Sequence, residues 1–226
     1  MAEEYGIGTY SAAEAARMIG MRPVTLRRWL MGYEHEGKVE PRLWAPQHHF
    51  EDDELMLGFR DLVEARVVHG LRGLGIGLTT IRKCVSRARE IVGDDRPFST
   101  RQFKSDGRSI FLDITVAVEE PKLIDLRSRQ WVFRDVVAPS LAGIDFGSKA
   151  AERWWLLDGK KTIVADPAIA FGQPIIAGVG MTTARVAQAV KAEGGVKQVA
   201  RVYDLRPQAI RDALAYEDQL HHRKAA

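Results

Sequence analysis

Residues 10–30, Tyr-Ser-Ala-Ala-Glu-Ala-Ala-Arg-Met-Ile-Gly-Met-Arg-Pro-Val-Thr-Leu-Arg-Arg-Trp-Leu, predict two short helices joined by a tight turn. Ser11 and Glu14 have the spacing of a capping box, in which each side chain accepts a hydrogen bond from the other residue's backbone N–H. Alanines recur at helical spacing in the first helix and would let a second helix approach closely. Gly20 permits a left-handed turn, and Pro23 suits the first position of the next helix.

The second predicted helix separates apolar from basic residues. Its inward face contains Leu26, Trp29 and Leu30, and the predicted DNA-contacting residues on its outward face are Arg22, Thr25, Arg27 and Arg28. Arginines on the free face of the second helix of a helix-turn-helix can hydrogen-bond guanine edges and phosphates. The alternative is a helical hairpin of an ordinary all-α core, whose surface arginines are simply solvated.

Residues 31–50 are rich in glycine, proline, histidine and charge. Short apolar pieces around Val39 and Leu43-Trp44 predict a β-hairpin with Lys38 and Arg42 near its tip. Directly after a helix-turn-helix such a hairpin would be a wing, and its basic residues would reach the DNA backbone. An exposed loop is the alternative.

Composition sets wide limits. With 226 residues, 46% of them hydrophobic and 28% charged, the chain can form one large or two to three small soluble domains. A net charge of +3 does not by itself indicate a nucleic-acid partner. Basic residues are concentrated between 66 and 108, either as a solvated helix face or as a flank that faces phosphate.

Several classes of protein are disfavoured. The single cysteine, Cys84, excludes an internal disulfide framework and any multi-cysteine metal site. Neither a membrane-length apolar run nor a signal sequence is recognisable, so we expect a cytoplasmic protein with no membrane partner. The Gly73/Gly75/Gly77 cluster follows a helix and lacks the lysine of a phosphate loop. We therefore expect no enzyme, and no catalytic, cofactor-binding or metal-binding residues.

The rest of the chain predicts an α+β, mainly helical fold. Helical periodicity covers 51–71 and 79–92, and composition changes at 93–97. A short β-rich middle section is predicted from Ile110–Val118, Leu123–Leu126, Gln130–Val137, Trp154–Leu157 and Thr162–Val164. Three helical stretches follow near 183–192, 195–203 and 207–220. The predicted domains are therefore 1–93 (winged helix-turn-helix), 94–165 (β-rich, a dimer or toxin contact) and 166–226 (helical).

An internal repeat links the two ends of the chain. Residues 200–211, Ala-Arg-Val-Tyr-Asp-Leu-Arg-Pro-Gln-Ala-Ile-Arg, match residues 16–27 in register, which predicts a second helix-turn-helix. Asp212 stands where the first copy has Arg28, and Glu217 and Asp218 follow. Carboxylates along a DNA-facing helix would repel phosphate, which favours a dimer or partner surface. Arg206 and Arg211 leave a DNA contact open, and we include both among the predicted DNA-binding residues.

The order of elements over residues 8–92 resembles the MerR-like winged-helix domain. The matching segments are Arg22-Pro23-Val24-Thr25-Leu26-Arg27, then Pro41-Arg42 in the wing, and Leu71-Arg72-Gly73-Leu74-Gly75-Ile76-Gly77-Leu78 before the last helix. The resemblance implies a winged helix-turn-helix that binds DNA. Downstream, the chain lacks the long dimerising coiled coil and the cysteine set of metal-sensing MerR regulators.

The C-terminal part resembles domain of unknown function 433, which is widespread among predicted antitoxins of type II toxin–antitoxin modules. The resemblance rests on 166–178, Asp-Pro-Ala-Ile-Ala-Phe-Gly-Gln-Pro-Ile-Ile-Ala-Gly, and on 210–217, Ile-Arg-Asp-Ala-Leu-Ala-Tyr-Glu. Val179-Gly180-Met181 departs from the family, which usually has Thr-Arg, an aliphatic residue and proline there. Together with the N-terminal helix-turn-helix, the arrangement is similar to the longer VapB-type antitoxins.

That similarity implies a protein with two activities. It would neutralise a cognate PIN-like ribonuclease toxin by direct binding, and as a homodimer it would repress its own operon by binding operator DNA. Two alternatives stay open: an interaction adaptor or inhibitor that uses its helix-turn-helix units only to dimerise, or a stand-alone transcriptional regulator.

Overall fold

A computed structural model describes residues 7–35, 37–48, 54–118 and 131–224. The chain divides into two compact units. The N-terminal unit comprises Ser11–Ala142 and Phe146–Ala151, and the described part of the C-terminal unit combines residues 7–10, 143–145 and 152–224. The predicted α+β, mainly helical class is confirmed, and the predicted three-part domain division stays a prediction. Within the described ranges, no helix is both long and apolar enough to cross a membrane.

The N-terminal unit is mostly helical. Its helices are α1 (Ala12–Ile19), α2 (Pro23–Met31), α3 (Phe59–Gly73), α4 (Leu78–Val92), α5 (Arg101–Val118) and the short α6 (Ala138–Ser140). A 3-10 turn spans Pro97–Ser99, and a π-helical turn, Phe133–Val137, leads into α6. The short strands that precede α3 in the sequence are β1 (Tyr10–Ser11), β2 (Tyr33–His35), β3 (Lys38–Glu40) and β4 (Met56–Leu57).

Local signals of the first helix pair (α1 and α2) are confirmed. The Glu14 backbone N–H donates to Ser11 Oγ over 3.2 Å, and the Ser11 N–H donates to Glu14 Oε2 over 2.9 Å, which completes the capping box. Gly20 ends α1 with a φ of 88°, and Pro23 is the first residue of α2. Leu26 is fully buried. These features depend on neighbours within a few residues, which is why the sequence alone predicts them.

Two predicted strands of the middle section are wrong. Ile110–Val118 is the second half of helix α5, and the described part of Gln130–Val137 is helical. In α5, Phe103, Gly107, Ile110 and Ile114 are buried at helical spacing, so a run that is apolar in isolation continues a helix begun ten residues earlier. Gly107 lies under the ring of Phe133, where a Cβ would come within 3.2 Å.

Other strand predictions have different outcomes. Strands over Trp154–Leu157 and Thr162–Val164 are confirmed, and Leu123–Leu126 lies outside the described residues. The helix predicted from residue 51 begins instead at Phe59, after β4. Gly58 caps it, and the Asp61 carboxylate accepts the Gly58 N–H over 2.9 Å.

The C-terminal unit packs three helices on a small sheet. The sheet order is β5 (Ile144–Phe146), β6 (Ala151–Leu157), β7 (Lys160–Ala165) and β8 (Pro174–Ile176), and β7 is antiparallel to both of its neighbours. The helices are α7 (Thr183–Ala192), α8 (Val196–Val202) and α9 (Pro207–Lys224), so all three predicted C-terminal helices are confirmed. The buried core comprises Leu157, Ile163, Ile176, Val186, Ala189, Val199, Leu205, Ile210, Ala213 and Tyr216.

Candidate nucleic-acid interface

Helix α2 presents its basic residues away from the core. Arg22 and Arg28 are exposed, and Thr25 and Arg27 are half-buried beside them. The Arg28 guanidinium lies 5.2 Å from the centre of the Tyr33 ring. This cation–π contact holds the long side chain over the start of β2. The structure therefore leaves the guanidinium groups of Arg22 and Arg28 accessible to a partner, whereas Thr25 and Arg27 flank the buried face of α2 on its two sides.

The hairpin after α2 differs in part from the prediction. Lys38 begins β3 directly after the turn and is exposed, as predicted for a residue near the tip. Arg42 is exposed but lies beyond the end of β3, so its placement near the tip is wrong. The reason is that Leu43 and Trp44 are core residues rather than strand residues, and the Leu43 N–H donates to the Trp29 carbonyl over 2.7 Å.

An arginine of α4 fixes the base of this hairpin. Arg82 Nη2 contacts Glu40 Oε2 at 2.9 Å, and Arg82 Nε and Nη2 donate to the Pro41 carbonyl over 3.2 and 3.1 Å. The Glu40 carbonyl also lies close to Gly32, where a Cβ would approach it to 2.6 Å. Sequence reasoning missed the role of Arg82, because nothing in a local pattern reveals a partner about forty residues away.

A buried carboxylate holds the segment that follows the hairpin. Asp61 accepts hydrogen bonds from Trp44 Nε1 at 3.1 Å, from the Gln47 and Gly58 N–H groups at 2.7 and 2.9 Å, and from Arg96 Nε at 2.7 Å. Such full satisfaction is what makes a buried charge tolerable. Asp61 thus ties residues 44–47 to α3 and to the turn before α5.

Glu64 is a second buried acid of α3. Glu64 accepts the Ser99 N–H over 2.8 Å, and burial raises its pKa to about 8 despite the opposing effects of that hydrogen bond and of the Arg60 charge. Glu64 is therefore protonated at neutral pH. It acts as a neutral hydrogen-bonding group inside the helical core.

The basic run between residues 66 and 108 is largely engaged within the protein. Arg66, Arg72, Arg89 and Arg101 donate to backbone carbonyls, and Arg87 and Arg96 pair with carboxylates. Lys83 and Arg108 are exposed. These contacts favour a structural role for most of the run over a continuous phosphate-facing flank.

The internal repeat extends to the backbone of the second helix pair (α8 and α9). The Met21 N–H donates to the Ala16 carbonyl over 2.9 Å, and at the equivalent positions Leu205 donates to Ala200 over 3.0 Å. At Gly20 and at its counterpart Asp204, φ is positive, 88° and 51°.

The same equivalence holds where the second helix of each pair starts. The N–H groups of Thr25 and Leu26 bond the Arg22 carbonyl at 3.0 and 3.3 Å, and those of Ala209 and Ile210 bond the Arg206 carbonyl at 3.0 and 3.3 Å. The two helix pairs thus turn with the same hydrogen bonds.

The carboxylates of α9 are not an exposed acidic row. Asp212 is 3% exposed, and its Oδ1 accepts hydrogen bonds from Lys160 Nζ at 2.8 Å and from Gln208 Nε2 at 3.0 Å. Burial alone would raise the pKa of Asp212, but these hydrogen bonds and the Lys160 charge outweigh it and hold the pKa below its usual value. Glu217 is half-buried and accepts the Thr183 hydroxyl. Asp218 is exposed.

This placement weakens the reason for excluding α9 from DNA contact. The expectation that Asp212, Glu217 and Asp218 would repel phosphate assumed that all three point outward, but Asp212 is buried and Glu217 is half-buried, and only Asp218 is exposed. Arg206 and Arg211 are exposed, as a contact role requires. Sequence reasoning missed Lys160, since its pairing with Asp212 depends on the packing of α9 against the sheet.

Among the residues that the structure describes, no group of three or more His, Cys, Asp or Glu side chains is arranged to hold a metal ion. His221 and His222 are exposed near the end of α9, and the Nδ1 atom of each lies 2.7–2.8 Å from the carbonyl oxygen four residues earlier.

Comparisons with known proteins agree with this architecture. The family described as Protein of unknown function (DUF433) matches residues 163–216, from β7 into α9. The protein named "Putative antitoxin VapB45" of Mycobacterium tuberculosis is 26% identical over 225 residues, which cover 93% of this chain and 94% of that relative. The crystal structure of Rv2018 from Mycobacterium tuberculosis aligns with a TM-score of 0.72 at 24% identity, covering 93% of this chain and 99% of that one, and shows the same fold.

The resemblances to domain of unknown function 433 and to an antitoxin are thus confirmed as similarities, whereas the resemblance to MerR-like domains stays a prediction. Over nearly its whole length, the chain is similar to a protein named as an antitoxin.

Proposed function

We propose that this protein is the antitoxin of a type II toxin–antitoxin operon and also the repressor of that operon. It neutralises a PIN-like ribonuclease toxin by direct binding, and it binds operator DNA as a homodimer in the cytoplasm without catalytic activity of its own. The observation that carries the proposal is the near full-length similarity to a named antitoxin, together with the accessible arginines of α2.

The contacts of the N-terminal unit support the DNA-binding half of the proposal. In it, α1 and α2 form a helix-turn-helix whose Arg22, Arg27 and Arg28 contact base edges or phosphates in the major groove, with Thr25 between them. Each bidentate pair with a base would contribute about 1–3 kcal/mol of discrimination. Lys38 contacts the DNA backbone from the hairpin, which Arg82 holds in place, and Arg42 contacts it from the segment just after the hairpin.

The DNA-binding assignment is also supported by basic side chains that internal contacts already hold in place. A hairpin clamped at its base and an arginine stacked on Tyr33 lose less conformational entropy on binding than free side chains would. A homodimer would place two copies of α2 in half-sites about one helical turn of DNA apart, or a multiple of that distance.

The DNA half is tested by fluorescence anisotropy with the DNA upstream of the protein's own gene. We expect binding that weakens steeply with salt, because phosphate contacts release counterions. Arg27→Ala/Arg28→Ala is expected to lose the preference for operator over unrelated DNA. Lys104→Ala/Arg108→Ala, which removes the same charge from exposed positions of α5, is the matched control and should bind as wild type does. Wild-type binding that is indifferent to salt and to Arg27 and Arg28 would refute a DNA-binding role and favour a dimerising adaptor.

The toxin half is tested separately. The purified protein is mixed with the product of the gene beside it, and complex formation and the ribonuclease activity of that product are measured. We expect a stable complex and loss of ribonuclease activity. A product that keeps its full activity in a stoichiometric mixture would contradict the antitoxin assignment and leave a stand-alone regulator.

A further inference from the structure

We propose that the second helix pair, together with the β6–β7 hairpin, forms a second DNA-contacting surface of this chain. The inference rests on the proposed function, because it assigns another part of the molecule to the same DNA. The surface is defined by Lys160, Lys161, Arg206, Gln208 and Arg211, and we name it the C-terminal basic surface.

The backbone is the first argument. The second helix pair repeats the turn of the first, with a positive φ at the same position and the same hydrogen bonds at the start of the second helix. Arg206 and Arg211 stand at the positions of Arg22 and Arg27, and both are exposed. Helix α9 can therefore present Arg206 and Arg211 to a DNA groove in the way that α2 presents Arg22 and Arg27.

The position of Asp212, the acid that replaces Arg28, is the second argument. Asp212 replaces Arg28, but it is buried, and Lys160 reaches it from the hairpin with its own side chain 52% exposed. The negative charge is therefore paired below the surface, and the accessible partner is the cation. A phosphate that approached this point would meet Lys160 before Asp212.

A chain of hydrogen bonds orients the polar groups. Gln208 Nε2 donates to Asp212, and Gln208 Oε1 accepts from Arg211 Nη1 over 3.5 Å. Asp212 thereby acts as a positioning residue for Gln208 and Lys160. Glutamine and arginine side by side on an exposed helix are suited to base edges and phosphates.

The hairpin makes the surface wider than one helix. Lys161 and Arg206 line the same cavity of about 500 Å³ in the C-terminal unit, so cations from the sheet and from the helix pair are neighbours. Lys161 also lies 5.5 Å from the centre of the Trp155 ring, which limits its freedom. Asp158 in the hairpin turn and Asp204 in the helix turn are the exposed acids at this surface, each in a turn rather than on α9.

A double-stranded nucleic acid fits these features better than an apolar protein partner does. Gln208 and Arg211 at the start of α9, and Arg206 just before it, are exposed and polar or charged, while the exposed apolar Val202 and Tyr203 belong to the end of α8 and the turn after it. Four of the five residues of the C-terminal basic surface are cations, whereas the centre of a protein interface is depleted of charged residues.

The test is hydroxyl-radical footprinting of the full-length protein on the DNA upstream of its gene. It compares wild type, Arg27→Ala/Arg28→Ala, Arg206→Ala/Arg211→Ala and the control Lys104→Ala/Arg108→Ala. We expect Arg206→Ala/Arg211→Ala to lose protection at one set of sugars and to keep the set that depends on Arg27 and Arg28. The salt slope of its binding, the change in log K with log salt, should be shallower by about 1.8 per protomer, or about 3.6 for the homodimer, since each phosphate contact contributes about 0.9.

Three outcomes overturn the inference and remain distinguishable from failure of the proposed function. An unchanged footprint and salt slope would show that the C-terminal basic surface does not contact DNA although the protein does. Loss of toxin binding or of dimerisation with DNA binding intact would assign the surface to a protein partner. Absence of any wild-type footprint would refute the proposed DNA function as well.

Circular dichroism of each variant must match that of wild type. Because Arg206 and Arg211 are exposed, their removal is not expected to unfold the C-terminal unit. Lys161→Ala, a single change outside the helix pair, provides an independent test and should make the salt slope shallower by about 0.9 per protomer, or about 1.8 for the homodimer.

Discussion

The two helix pairs have the same turn but are anchored in opposite ways. The first is short, and the hairpin after it depends on charged groups supplied by α3, α4 and the segment before α5, notably Asp61, Arg82 and Arg96. The second pair includes the 18-residue helix α9, which packs on the sheet. Asp212 of α9 anchors this pair by binding Lys160. Asp212 and its counterpart Arg28 thus differ in charge at equivalent backbone positions. Because Asp212 is buried, the exposed faces of the two helix pairs do not become opposite in charge.

The largest expected effect concerns Asp61, which holds the segment after the hairpin. Asp61→Ala leaves Arg96 without its buried partner and the Trp44 indole N–H without its acceptor. This loss should lower the free energy of unfolding by about 3–5 kcal/mol. Hydrogen exchange resolved by peptide should show faster exchange in α3 and in residues 44–47. Asp113→Ala, at an exposed position of α5, is the control. Unchanged exchange would mean that the network does not hold the hairpin segment.

The next effect is a pH dependence of the stability of the N-terminal unit, which arises from Glu64. Glu64 has a pKa of about 8 in the folded protein and 4.5 as its ordinary value, so the unfolded chain ionises first as pH rises. The stabilising contribution of protonated Glu64 is therefore complete below pH 4.5, falls as pH rises toward 8, and is lost above that. Urea unfolding of Glu64→Gln should lack this decline for the N-terminal unit. A wild-type unit equally stable at pH 5 and pH 8 would contradict the raised pKa.

A smaller effect concerns the anchor of the second pair. Asp212→Ala removes charge-assisted hydrogen bonds from Lys160 and Gln208, which should cost about 1.5–3 kcal/mol of the stability of the C-terminal unit. Because the pKa of Asp212 is lowered in the folded state, wild type should lose this stability as pH falls below about 4. The variant should lack that acid limb in thermal unfolding. Asp218→Ala is the exposed control on the same helix.

The smallest effect compares the two turns directly. Gly20→Ala places a β-carbon at a φ of 88° and should cost about 1–2 kcal/mol. Asp204→Gly removes a side chain from a left-handed position that aspartate tolerates, so relief of strain and added entropy of the unfolded chain should nearly cancel, within about 0.5 kcal/mol. Chemical unfolding of each variant measures both changes. Equal costs would mean that the turns are not energetically distinct.

The sequence predicted what depends on neighbouring residues. The Ser11–Glu14 capping box, the turn at Gly20, the start of α2 at Pro23 and the repeat at 200–211 follow from short-range chemistry, and the structure contains each of them. What could not be predicted depends on distant residues. Lys160 meets Asp212 across 52 positions of sequence, and Arg82 meets Pro41 across 41.

The error in the middle section has the same origin. The run 110–118 is apolar and rich in β-branched residues, which favours a strand when it is taken alone. In the structure it continues α5, which packs against α4, and tertiary burial of Ile110 and Ile114 overrides the local preference. The same limit explains why Asp212 was assigned to an exposed face.

The most direct measurement is a salt series of DNA binding by fluorescence anisotropy for four forms of the full-length protein: wild type, Arg27→Ala/Arg28→Ala, Arg206→Ala/Arg211→Ala and the fourfold variant. If both helix pairs contact DNA, each double variant should have a salt slope shallower by about 1.8 per protomer, or about 3.6 for the homodimer, and the fourfold variant by about twice that amount. A slope that depends on Arg27 and Arg28 but not on Arg206 and Arg211 would contradict the two-surface account and confine DNA contact to the first helix pair.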